Sequence, residues 1–188
     1  MNLVGSRLTR SALAPGLLVT GLLLASALGG HAVSAQTVTT SDPGSSAAAL
    51  HPTLRIDGAI RSPDGASFIQ LDSAALRALS QHTVTTRTPW HDGREQFSGP
   101  RLWDLLEPLR PAGKTLRLTA LNDYSVNIPL SDLQRYQPVL AWQLNGKALS
   151  VRNKGPLFLI YPFDTYPELN NPLYYARSIW QVKTITVE

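Results

Sequence analysis

"VLAWQLNGKALSVRNKGPLFLIYP", residues 139–162, holds two apolar runs separated by an Asn-Gly step and a short basic stretch. "VLAWQL" (139–144) reads as a strand. "LFLIY" (157–161), apolar at every position, reads as a strand buried on both faces. Asn145-Gly146-Lys147 between them is a tight turn, because Asn and Gly tolerate positive φ at low cost. Arg152, Asn153 and Lys154 then precede a Gly-Pro step.

Working outward supports the same class. "TLRLTAL" (115–121) and "YSVNIPL" (124–130) alternate apolar and polar residues around Asn122-Asp123, a hairpin pattern. Ser131 with Gln134 suggests a capping box and a short helix to Tyr136. Pro100 suits the first turn of a helix over "PRLWDLLEPL", where Leu102, Leu105, Leu106 and Leu109 form a stripe. "TLRIDGAI" (53–60), "FIQL" (68–71) and "HTVTTRT" (82–88) read as strands, and Asp72 as the N-cap of a helix over 73–79. After Pro162 the chain reads as irregular to Asn171, and "SIWQVKTITVE" (178–188) as a closing strand. The expectation is a single α+β domain over 53–188, with a mixed or antiparallel sheet and a few short helices. Three helices cannot cover both faces of a parallel sheet.

The 188-residue chain starts with Arg7, Arg10 and no acidic residue, then a 15-residue apolar stretch (16–30) and "AVSA". That is the pattern of a cleavable signal peptide, 1–35, followed by a flexible leader, 36–52, rich in small and polar residues. The expectation is a periplasmic or secreted protein with no membrane span after processing. "SRLTRS" is not a twin-arginine pair, so export in the unfolded state is the expected route. Beyond residue 35 the chain carries 15 basic and 13 acidic residues, a net +2, which gives no electrostatic reason to bind nucleic acid. The whole chain contains no cysteine, so disulfides, thiolate metal ligands and cysteine nucleophiles are excluded. It also lacks G-x-S-x-G, Walker A and H-E-x-x-H patterns.

From Gly99 onward the chain resembles the sulfite-oxidase-type molybdopterin-binding domain. Four pieces carry the likeness in order: "FSGPRLWDLLEPL", "LTALNDYSVNIPLSDL", "VLAWQLNGKALSVRNKGPLFLIYP" and "RSIWQVKTITV". The resemblance implies that fold, a molybdopterin-type cofactor and oxidoreductase activity. It also implies a metal-bearing cysteine in the stretch between the β-branched strand and "FSGPRLW". Here that stretch is "RTPWHDGREQ", and Thr88 stands near where the thiolate would be expected. A neutral hydroxyl is a poor donor for a high-valent metal beside an anionic sulfur.

The reading is therefore an exported, non-catalytic module that binds or senses a small anionic or pterin-like ligand, without molybdenum. Two alternatives stay open: a pterin-dependent oxidoreductase with a non-cysteine metal ligand, and an accessory subunit with a periplasmic protein partner. Candidate ligand contacts are Arg87, Thr88, His91 and Arg94 in the loop, Asn122 and Tyr124 at the hairpin, and Arg152 and Lys154 before the Gly-Pro step. Arginine forks and a lysine would meet an anion, and Trp90 would stack on a ring. No catalytic or metal-binding residue is assigned. A solvated turn explains several of these residues equally well: Asn122 and Asp123 need no ligand to sit in a hairpin. "DTYPELNNPLYY" (164–175) is either a partner-binding or ligand-gating loop or a long loop pinned by its aromatics.

Overall fold

The computed structural model describes residues 54–188; the proposed signal peptide and leader lie outside the described residues. The hairpin at 115–129 anchors the larger sheet. Its strands, Thr115–Ala120 (β5) and Ser125–Pro129 (β6), pair antiparallel, with Leu116 opposite Ile128 and Leu118 opposite Val126. The remaining strands of that sheet are Leu54–Gly58 (β1), Phe68–Leu71 (β2) and Val182–Val187 (β11), giving the order β2-β1-β11-β5-β6. Only β1 and β11 run parallel among these pairs, so the sheet is mixed.

The second sheet has four strands: Gln81–Thr88 (β3), His91–Pro100 (β4), Gln143–Leu144 (β8) and Lys147–Ala148 (β9). Val139–Ala141 (β7) and Phe158–Ile160 (β10) form a separate antiparallel pair, all six residues buried. Helices Ser73–Ala78 (α1), Leu102–Leu106 (α2), Leu130–Tyr136 (α3) and Pro172–Arg177 (α4) are short. The fold is thus α+β, with antiparallel and mixed sheets.

The apolar stripes explain the packing. Leu102, Leu105, Leu106 and Leu109 are all buried in one cluster with Leu54, Ile56, Leu116, Leu118 and Ile185 from the large sheet. A smaller cluster, Phe97, Val139, Ala141, Leu149, Phe158 and Ile160, joins the second sheet to the β7–β10 pair. Trp90 packs against both clusters.

Several local readings need correction. The stretch 87–95 is not a loop. β3 and β4 form one hairpin, with Arg87 opposite Arg94, Thr88 opposite His91, and only Pro89 and Trp90 at the turn. Pro100 ends β4 rather than starting a helix, and α2 begins at Leu102, continuing as a 3-10 turn to Leu109. The helix near 131 starts at Leu130, after Pro129, with no side-chain cap, so Ser131 does not act as one. The strand over 139–144 breaks at Trp142, whose backbone N–H donates to the Ser98 carbonyl while its indole donates to Gln81. The stretch 164–175, read as a loop, runs into α4, where the Asn171 side chain accepts from the backbone of Leu173 and Tyr174 and Pro172 takes the first position. Asp72 does cap α1, accepting from the Ala75 N–H at 2.8 Å.

Candidate ligand pocket

The end of the β3–β4 hairpin, the β5–β6 turn and the segment after α4 meet around a cavity of about 450 Å³. That size lies within the range of small-molecule sites. Its lining includes Trp90, Asn122, Tyr124, Tyr175, Ser178, Ile179 and Trp180. The walls are predominantly aromatic and apolar. The Trp90 and Trp180 rings stand edge to face with centroids 5.9 Å apart, and Trp90 meets Tyr175 in the same way at 6.2 Å. The Lys154 ammonium, which is not part of the lining, lies 5.6 Å from the centroid of the Trp180 ring, a cation–π distance. Lys154 reaches it from a left-handed conformation, φ 65°, and its carbonyl accepts from the Gln181 N–H.

Of the residues singled out from the sequence, Asn122 and Tyr124 line this cavity together with Trp90, and Lys154 touches only the ring of one wall residue, Trp180. Asn122 also closes the turn, its side chain accepting from the Tyr124 N–H at 3.2 Å. Arg87 and Arg94 do not line the cavity. Arg94 Nε donates to Asp164 at 2.7 Å and Arg87 stands 4.0 Å from the same carboxylate. Two like charges placed opposite each other on a hairpin are thereby offset by one acid from a distant segment. Arg152 is exposed on a 3-10 turn, Val151–Asn153, away from the lining. Gly155 serves the chain itself: a Cβ there would meet the Leu149 backbone at 2.5 Å.

Thr88 and His91 sit behind the cavity. The Thr88 hydroxyl and His91 Nδ1 are 2.8 Å apart, and the imidazole packs edge-on against Phe97. Burial, and secondarily the Lys154 charge, hold His91 below the ordinary imidazole range, with Glu95 opposing weakly. The neutral imidazole is thus favoured beside Thr88. Trp180 and Ser178 were not anticipated as site residues, whereas Tyr175 belongs to the stretch offered as a ligand-gating loop. A signal existed in the aromatics at 175 and 180, but residues 164–175 read as a loop and 178–188 as a strand.

The geometry defines a sulfite-oxidase-type α+β domain with a pocket at the tip of its second sheet. Residues 51–165 match the family described as oxidoreductase molybdopterin binding domain, and the chain belongs to that family. A similar solved structure is that of the sulfane dehydrogenase SoxCD from Paracoccus pantotrophus, at 17% identity and a TM-score of 0.55. The likeness covers 72% of this chain and 37% of that one, so this chain spans well under half of its relative's length. No curated protein matches the chain.

The family implies a molybdenum centre, and the donor set here does not fit one. The chain has no cysteine to supply a thiolate, and the Thr88 hydroxyl, neutral and nearly buried, is already bonded to His91. Among the described residues there is no cluster of three or more His, Cys, Asp or Glu side chains able to hold a metal. No redox step is therefore derived through the metal.

Proposed function

We propose that this is the ligand-binding domain of an exported protein, non-catalytic, taking a flat anionic heterocycle such as a metal-free pterin. The observation that carries the reading is the edge-to-face pair of Trp90 and Trp180 in the wall of a 450 Å³ cavity, with the Lys154 ammonium 5.6 Å from the Trp180 ring. Indole faces and edges hold a planar ring system through stacking and apolar burial, and one cation selects a ligand with a carboxylate or phosphate. Asn122 and Tyr124 supply amide and phenol groups for the ring's polar edge. Replacement of the thiolate by Thr88 supports binding without metal redox chemistry. The charged start, apolar core and V-S-A exit of residues 1–35 support export.

The test is titration with pterin-6-carboxylate, followed by tryptophan fluorescence. Saturable quenching is expected. Lys154→Met should weaken binding by roughly 1.5–3 kcal/mol, the scale of a charge-assisted hydrogen bond, while Trp180→Ala removes a wall and abolishes saturation. Equal affinity in wild type and the Lys154 variant, or no saturation in wild type, would sink the reading.

A further inference from the structure

A second, smaller cavity of about 230 Å³ lies under the opposite end of β3. His82 at its border is six residues from Thr88, about 20 Å along an extended strand, so it is separate from the aromatic pocket. Val84, Val139 and Pro162 give it apolar walls. Tyr136 and Tyr166, whose rings meet edge to face at 5.2 Å, close another side.

The ionisable groups around it have partners, with one exception. His82 Nε2 faces the Asp104 carboxylate at 3.2 Å, and Arg135, stacked on Tyr136, pairs with Glu168 at 3.1 Å. Arg101 also lines the cavity, and among the described residues it has no carboxylate within 4.0 Å. A site with one free guanidinium and apolar or aromatic walls suits a monoanion. The planar fork of arginine matches a carboxylate. The volume is below that of drug-sized pockets, which restricts the ligand to a single ring or a short branched chain.

We propose that this cavity is a second binding site, for a small aromatic or branched monocarboxylate whose carboxylate meets Arg101 and whose apolar part lies against Tyr136, Tyr166 and Val139. It does not depend on the aromatic pocket being a pterin site.

The test is a two-dimensional NMR titration of the full exported chain with benzoate, its neutral isostere benzamide, and inorganic phosphate. Benzoate should produce saturable amide shifts at 82–84, 137 and 165–166, leaving 122–124 and 180 unmoved. Benzamide and Arg101→Gln should each weaken binding at least about tenfold, and phosphate should cause no saturable shift. Equal binding of benzoate and benzamide by the unaltered chain would overturn the proposal whether or not the variant folds. So would the absence of shifts up to about 10 mM benzoate, or shifts confined to the aromatic pocket.

Discussion

Asp132→Ala is expected to destabilise the domain by roughly 3–5 kcal/mol, the cost of leaving a buried charge without its partner. Asp132, in α3, is nearly buried and accepts from Arg177 at 2.7 Å and from the Tyr161 hydroxyl at 3.1 Å. Removing the carboxylate strands the Arg177 guanidinium, whose Nε already lacks a partner, and orphans a fully buried phenol. Burial, reinforced by the neighbouring carboxylate, pushes the Tyr161 hydroxyl far above the ordinary phenol range. The phenol therefore stays protonated and needs an acceptor. Because Arg177 ends α4, and Ser178 to Trp180 follow directly into the pocket wall, ligand affinity should fall with stability. Denaturant unfolding would measure the first effect. A double variant, Asp132→Leu with Arg177→Met, should lose much less than the two single changes combined, since well-packed apolar residues often replace a buried ion pair at little cost. A loss below about 1 kcal/mol for Asp132→Ala would show the pair to be solvated.

Gly99→Ala should cost roughly 3 kcal/mol, the upper end of what overpacking does. A Cβ at this position would meet the Leu140 carbonyl oxygen at 2.1 Å and the Ala141 Cα at 2.9 Å. Both obstacles are backbone, so relief requires β4 and β7 to move apart and opens the Phe97–Phe158 cluster between them. Gly93 provides the contrast. It has open space around it but a φ of 80°, so alanine there should cost only about 1 kcal/mol through backbone strain. Thermal or chemical unfolding of the two variants side by side checks the ranking. Comparable losses would mean that strand spacing at Gly99 yields easily.

These two residues also mark what was legible in the sequence. Gly99 belongs to "FSGPRLW", one of the pieces carrying the family likeness, and the structure gives its physical reason: two strands approach too closely for any side chain. The β5–β6 hairpin and the leucine stripe of 102–109 were readable because each buries one regular face. β4 was not, because its first half, His91 to Gln96, has no fully buried residue and so lacks the alternation that betrays a strand. Pro89 then looked like the start of a loop when it is half of a two-residue turn. α4 escaped for the same cause, having no fully buried residue and a proline at its start.

At the pocket, residue type indicated the region but not the partners. Arg87 and Arg94 looked like an anion fork, and nothing local reveals that Asp164, 70 residues beyond Arg94, receives them. Tertiary pairing decides whether a charged cluster is a site or a closed account. Lys154 remains beside the tryptophans. The pocket's positive character therefore rests on one cation, which is why the expected ligand carries a single anionic group.

The chain has the fold of its family, and we propose that it lacks the metal chemistry. Elemental analysis of protein produced in a host that makes molybdenum cofactor tests it most directly. The account predicts molybdenum and tungsten far below one atom per chain, because Thr88 offers no thiolate. One metal per chain, with redox activity that depends on it and falls in Thr88→Val, would contradict it.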